Sequence, residues 1–104
     1  MTADPSGGCT EPVTLITGTT SGIGEALARH YLALGHRVVG LARRAAVVDH
    51  ERYTHLEGDV SDEAFVRAAL AEVRRGHRRL DHVVNNAGVA SMNHALLTTA
   101  SALE

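Results

Sequence analysis

The chain has 104 residues, of which 44% are hydrophobic, and a net charge of -2 with acidic and basic residues interspersed. It has the size of one small domain, and its charge argues against a nucleic-acid or anionic-membrane surface. Cys9 is the single cysteine, which excludes an internal disulfide, and no apolar run approaches the roughly 20 residues that a membrane span needs.

The first twelve residues differ in composition from the rest of the chain. They are polar, include proline and glycine, and lack the basic start and apolar stretch of a signal peptide. We therefore expect a flexible leader over residues 1–12, one folded domain over residues 13–104, and a cytoplasmic protein.

The domain begins with the pattern of one β-α unit. An apolar run over residues 13–18 predicts a strand that is buried on both faces and ends in a glycine turn. The next segment predicts a helix that stops at Gly35, a residue suited to the left-handed position after a helix. Its apolar face is expected to consist of Ile23, Leu27, Tyr31 and Leu34.

Further elements follow in alternation. Strands are predicted over residues 38–41 and 53–56, and the mixed stretch between them holds a short helix or none. Ser61 is the expected N-cap of a second helix that ends near Gly76. The apolar stripe of this helix consists of Phe65, Val66, Ala69, Leu70 and Val73. A fourth strand is predicted over residues 80–84, and residue 99 begins what resembles a further helix.

Alternating strands and helices predict parallel strands joined by right-handed crossovers. The expected fold class is α/β: the N-terminal half of a Rossmann-type doubly wound parallel sheet, incomplete, with strand order 3-2-1-4. Such sheets bind ligands at the carboxyl ends of the strands, where the strand order reverses. The segments that follow strands 1 and 4 should therefore be neighbours in space.

The glycine turn after the first strand has the composition of a phosphate site. Gly18 permits a tight turn, Gly22 lets the backbone approach a pyrophosphate, and Gly24 lets the helix pack closely. Unpaired N–H groups at the helix N-terminus point toward the bound anion. The candidate cofactor-binding residues here are Gly18, Thr20, Ser21, Gly22, Ile23 and Gly24.

The choice of cofactor is read about twenty residues after the glycine turn, where an acidic residue would accept hydrogen bonds from the ribose 2′-OH of NAD. Arg43 and Arg44 occupy this position, with no carboxylate. A guanidinium can bind a 2′-phosphate through paired charge-assisted hydrogen bonds. The sequence therefore predicts NADP rather than NAD, with Arg43 as the main contact and Arg44 stacked on adenine or exposed. The alternative is a pair of arginines in a surface loop.

A second motif supports a family resemblance. The glycine spacing G-x-x-x-G-x-G and the sequence Asn-Asn-Ala-Gly at residues 85–88 together resemble the short-chain dehydrogenase/reductase family, classical branch. The resemblance runs from residue 13 onward and corresponds to the N-terminal portion of a member. It implies adenine contacts from Asp59 and Val60, and nicotinamide-ribose contacts from Asn86, Ala87 and Gly88. As a bare residue, Asp59 could equally serve as a turn residue.

The resemblance also implies hydride transfer assisted by a catalytic Tyr with a Lys four residues later. All ten basic residues of this chain are arginine, so that pair is absent and no catalytic residue is assigned. Tyr31 and Tyr53 are interpreted as packing residues. The seven histidines lack paired ligand spacing, and no metal site is predicted.

These observations predict the NADP-binding part of an oxidoreductase that acts on a small-molecule carbonyl or secondary alcohol, such as a 3-oxoacyl thioester or a small ketone. The chain alone is expected to be inactive, and the complete enzyme to be a homo-oligomer without nucleic-acid or membrane partners. One alternative is a non-catalytic NADP-binding module or truncated gene product. Others are an epimerase or dehydratase, whose glycine spacing usually differs, and a fragment that does not fold alone.

Overall fold

The computed structural model describes residues 10–86 of the chain. This part of the chain contains four strands and two helices. In chain order they are β1 (Val13–Thr17), α1 (Gly22–Ala33), β2 (Arg37–Ala42), β3 (Tyr53–Glu57), α2 (Glu63–His77) and β4 (His82–Val84). A helix follows β1 and β3, and none lies between β2 and β3. Within this part of the chain, no helix is long and apolar enough to cross a membrane.

The strands form one parallel sheet in the order β3-β2-β1-β4, which confirms the predicted Rossmann-type topology. All five residues of β1 are buried, as expected for a central strand covered on both faces. In the register, Leu15 of β1 lies beside Val39 of β2 and Val83 of β4. The carboxyl ends of the strands therefore meet at one edge of the sheet.

Apolar side chains pack on both faces of the sheet. On one face α2 contributes the predicted stripe, and the buried cluster there is Val13, Leu15, Val39, Leu41, Val66, Ala69, Leu70 and Val73. On the other face α1 contributes to a cluster of Ile16, Ala28, Leu32, Val38 and Val48. The sheet is thus a middle layer between two helices, as in other α/β folds.

The predicted apolar face of α1 is correct in part, because Leu27 and Tyr31 are partly buried and pack against the Ile16 cluster, whereas its two end residues do not. Ile23 is 70% exposed and Leu34 is 59% exposed, whereas Gly24, Ala28 and Leu32 are buried. Small residues at positions 24 and 28 let the helix approach the sheet, so the fully buried part of the helix is Gly24, Ala28 and Leu32. The helix is followed by Gly35 at a φ of +91°, as its glycine predicted.

The N-cap of α2 is Asp62, not Ser61 as predicted. The Asp62 carboxylate accepts a hydrogen bond from the Ala64 N–H at 3.0 Å. The Ser61 hydroxyl bonds outside the helix instead, because it donates to the Asp59 carboxylate at 2.7 Å. At its other end α2 stops at His77, and the next residue, Arg78, is the C-cap in the left-handed conformation at a φ of 58°.

The stretch between β2 and β3 contains no helix in residues 43–52. Instead, Val48 is buried in the cluster beneath α1. The guanidinium of Arg52 donates to the Leu32 carbonyl at 2.7 Å, near the end of α1. Of the two expectations for this stretch, a short helix or none, the structure shows the second: an irregular segment that packs against the sheet through Val48.

Polar contacts join the amino-terminal ends of the strands. The Val13 N–H donates to the Asp81 carboxylate at 2.7 Å, and Asp81 also binds the Arg79 guanidinium. The Thr14 hydroxyl and His36 Nδ1 lie 2.8 Å apart. These contacts fix β4 and β2 beside β1 at the end of the sheet opposite the glycine turn.

Candidate functional site

The turn after β1 is built around the carbonyl of Gly18. Gly18 has a φ of +76°, which favours glycine, and its N–H donates to the Leu41 carbonyl at 2.8 Å. The Ser21 hydroxyl donates to the Gly18 carbonyl at 2.8 Å. Ser21 is also the N-cap of α1 and accepts a hydrogen bond from the Gly24 N–H at 3.4 Å. The turn thus delivers the chain directly into the helix N-terminus.

The other two glycines of the turn have different surroundings. A Cβ on residue 24 would overlap the Gly18 carbonyl, so Gly24 is needed for the turn to pack against the helix. A Cβ on Gly22 would meet no atom within 4 Å. The space above Gly22 is open, and Gly22 and Ile23 provide the first backbone N–H groups of α1, which have no intrahelical acceptor by geometry.

Asn86 connects the end of β4 to the same turn. Its Nδ2 donates to the Ser21 hydroxyl at 3.2 Å and to the Gly18 carbonyl at 3.5 Å. The neighbouring residue Asn85 accepts a hydrogen bond from the Thr17 hydroxyl at 3.3 Å. The two sequence motifs are therefore in contact, as predicted from the strand order. Ala87 and Gly88 lie outside the described residues.

A cavity of about 460 Å³ opens at the carboxyl ends of β1, β2 and β3. It brings together seven of the predicted site residues, namely Gly18, Thr20, Ser21, Arg43, Arg44, Asp59 and Val60. Leu41, Ala42, Gly58 and Ser61 also line it, although no motif of the sequence marks them as ligand contacts. Each of these four adjoins a predicted site residue along the chain or lies one residue further on, and that adjacency was the available signal. Gly22, Ile23, Gly24 and Asn86 lie at the turn, outside this lining.

Asp59 carries a stabilised negative charge at the cavity wall. Its pKa is lowered, first by the hydrogen bond from the Ser61 N–H at 2.9 Å and then by that from the Ser61 hydroxyl at 2.7 Å. The positive charge of Arg43 lowers the pKa further. Asp59 therefore serves as the turn residue that the alternative interpretation proposed, and it also faces the cavity.

Tyr53 does more than pack against the apolar cluster beneath α1. Its hydroxyl lies 2.8 Å from the Thr19 hydroxyl and 2.6 Å from His55 Nδ1. The sequence interpretation missed these contacts because they depend on the register of β3 against β2. Among residues 10–86, no group of three or more His, Cys, Asp or Glu side chains could hold a metal ion.

Comparison with known protein families shows which family has this sheet and glycine turn. The family model described as short chain dehydrogenase matches residues 12–104. The chain belongs to the short-chain dehydrogenase family, whose members are oxidoreductases.

Individual proteins agree with this assignment. The chain is 39% identical over 82 residues to a serine 3-dehydrogenase of Agrobacterium fabrum, covering 73% of this chain and 33% of that protein. It is 34% identical over 89 residues to an NADP-dependent 3-hydroxy acid dehydrogenase of Salmonella typhi, covering 75% of this chain and 34% of that protein.

A solved structure shows the same fold. A short chain dehydrogenase from Leptospira borgpetersenii with bound NAD+ superposes with a TM-score of 0.68 at 25% identity. The match covers 76% of this chain and 32% of that one. The chain therefore spans about a third of the length of the relatives that it matches.

Proposed function

We propose that this chain forms the NADP-binding part of an oxidoreductase that transfers a hydride between the cofactor and a carbonyl or secondary alcohol. One observation carries the proposal: Arg43 and Arg44, at the end of β2, line the same cavity as the glycine turn. A cofactor that spans this cavity would place its 2′-phosphate near two guanidinium groups, which bind phosphate through charge-assisted hydrogen bonds.

The residues present fit such a cofactor. A Cβ on Gly22 would meet no neighbouring atom, and the first N–H groups of α1, which lack intrahelical acceptors, are proposed to bind the pyrophosphate there. Asp59 and Val60 are proposed to contact adenine, and Arg43 the 2′-phosphate, with Arg44 stacked on adenine or exposed. Asn86, with Ala87 and Gly88, is proposed to line the nicotinamide ribose. When bound, the nicotinamide supplies the hydride donor or acceptor.

The relatives leave the choice of nucleotide open at the level of the family. One is named as NADP-dependent and another contains NAD+. The preference for NADP in this chain therefore rests on its own residues. The proposed substrates, a 3-oxoacyl thioester or a small ketone, and the proposed homo-oligomer concern the complete enzyme.

The test is a calorimetric titration of the protein with NADP and with NAD. We expect NADP to bind roughly tenfold more tightly or better, because charged hydrogen bonds contribute about 1.5–3 kcal/mol. Arg43→Asp should narrow or reverse the difference by removing a phosphate contact and supplying a 2′-OH acceptor. Arg74→Asp makes the same charge change at an exposed position of α2 and should leave the difference between the NADP and NAD affinities intact. Equal affinities in the unmodified protein would contradict the NADP preference, and no binding of either nucleotide would contradict the site.

A further inference from the structure

A chain of side-chain hydrogen bonds crosses from the glycine turn to the arginine segment. It starts at the Thr19 hydroxyl, which lies 2.8 Å from the Tyr53 hydroxyl. Tyr53 Oη lies 2.6 Å from His55 Nδ1, and His55 Nε2 lies 2.8 Å from the Arg44 carbonyl oxygen. Two residues of β3 thus connect Thr19, buried beside Gly18, to the backbone that carries both arginines.

The protons along this chain have a defined order when His55 is neutral. The Arg44 carbonyl can only accept, so His55 Nε2 must donate to it. Nδ1 of the neutral ring then accepts from the Tyr53 hydroxyl, which in turn accepts from Thr19. Partial burial raises the pKa of Tyr53, which keeps its hydroxyl proton in place. With this order of protons, each of the three hydrogen bonds has one donor and one acceptor.

Gly40 makes room for this chain in the middle of β2. A Cβ at residue 40 would overlap the Tyr53 hydroxyl and would lie 2.6 Å from the Thr19 hydroxyl oxygen. Glycine inside a strand weakens it, and it commonly marks a place where other atoms approach closely. Here the atoms that approach are the two hydroxyl groups, so the missing side chain and the hydrogen bonds belong to one feature.

We propose that Tyr53 and His55 are positioning residues that hold the Arg43–Arg44 segment for the 2′-phosphate and thereby strengthen the preference for NADP over NAD. This inference rests on the proposed function. Both arginine side chains are exposed, and the bond from His55 ties the Arg44 carbonyl to β3. A segment that is ordered before the ligand arrives loses less conformational freedom on binding. Through Thr19, the same series of hydrogen bonds fixes the Arg43–Arg44 segment relative to the glycine turn.

The experiment compares adenosine 2′,5′-bisphosphate with AMP, which lacks the 2′-phosphate, by titration calorimetry on the purified protein. We expect His55→Leu and Tyr53→Phe each to lower the ratio of the two affinities by roughly threefold to tenfold, the range expected for one hydrogen bond. AMP binding should change by less than about twofold, because AMP lacks the 2′-phosphate that Arg43 is proposed to contact. His55→Gln, which can still donate to the Arg44 carbonyl, should restore most of the ratio.

Thr54→Val is the matched control, because it removes a hydroxyl from the opposite face of the same strand. It should leave the ratio unchanged. If the unmodified protein binds the two nucleotides equally, the proposed function fails. If the unmodified protein prefers the bisphosphate, the positioning role alone fails in either of two cases. In the first, folded Tyr53→Phe keeps the ratio of the two affinities. In the second, His55→Leu keeps the ratio as fully as His55→Gln does. An equal loss of the bisphosphate and AMP affinities in these variants also contradicts that role. If His55→Leu does not fold, the affinity ratio of Tyr53→Phe is the test.

Discussion

The carbonyl oxygen of Gly18 lies where the first side-chain carbon of any other residue at position 24 would have to be. The same carbonyl accepts hydrogen bonds from Ser21 and Asn86. It therefore cannot move away without loss of contacts to the helix cap and to the end of β4. The close approach of residues 18 and 24 is what holds the glycine turn in its conformation.

Substitution of Gly24 should therefore destabilise the fold. We expect Gly24→Ala to lower the free energy of unfolding by roughly 1–3 kcal/mol, the usual cost of forcing atoms into a packed site. Gly22→Ala is the matched control, because its Cβ meets open space. It should leave stability unchanged or raise it by up to about 1 kcal/mol, since alanine favours helix. Denaturant unfolding followed by circular dichroism measures both, and equal stabilities would contradict the close approach of residue 24 to the Gly18 carbonyl.

The substitution Gly22→Val should change nucleotide binding and leave the fold intact. We expect it to abolish nucleotide binding with little loss of helix content, because the branched side chain would fill the space proposed for the pyrophosphate. Calorimetry with NADP and circular dichroism on the same samples measure the two effects. Undiminished NADP binding by folded Gly22→Val would show that this turn is not the phosphate site.

Asp81 should make stability depend on pH. The hydrogen bond from Arg79 is the largest cause of its lowered pKa, and the Val13 N–H also contributes. Because the folded-state pKa lies below the unfolded value of about 4, the stabilisation is complete above pH 4 and is lost as the pH falls through the folded-state pKa.

We expect Asp81→Asn to be less stable than the unmodified protein at pH 7, and the difference to shrink below pH 4. Unfolding curves at several pH values measure it. Asp49→Asn, at an exposed position in the 43–52 segment, is the control and should change stability little at any pH. A stability difference at Asp81 that is independent of pH would contradict the ionic role of its carboxylate.

The outer strand β4 should promote self-association. Among the described residues, β4 pairs only with β1, and Val83 is 40% exposed. Unpaired strand edges with apolar side chains favour pairing between molecules. We expect the 104-residue chain to associate as its concentration rises, measured by sedimentation velocity, and Val83→Lys to reduce the effect.

Val47→Lys is the control for that experiment, because Val47 is 49% exposed but lies in the 43–52 segment. It should leave association unchanged. A strictly monomeric chain with a sharp two-state thermal transition would contradict the expectation.

Much of the fold follows from local patterns in the sequence. Apolar runs that end in glycine or asparagine located β1 and β4, and the strand order is the one typical of a doubly wound α/β sheet. The contact between Asn86 and Gly18 follows from that order alone. These predictions hold because strand burial and parallel pairing depend little on the details of side-chain packing.

Other features depend on tertiary contacts and could not be predicted. The face of α1 that is buried was decided by how closely Ala28 lets the helix approach the sheet, not by the size of Ile23. Ser61 and Asp62 are both good N-cap residues, and only the bond from Ser61 to Asp59 decides between them. The Tyr53 contacts required the register of β3.

The parallel register places two kinds of polar contact at opposite ends of the same strands. The bonds of Asp81 and Thr14 hold the strands together at their amino-terminal ends, whereas Thr20, Arg43 and Asp59 line the cavity at the other end. The length of β1 separates the two groups. Substitutions that retune ligand preference can therefore accumulate at the cavity without weakening the contacts that close the sheet, which leaves one scaffold free to acquire new specificities.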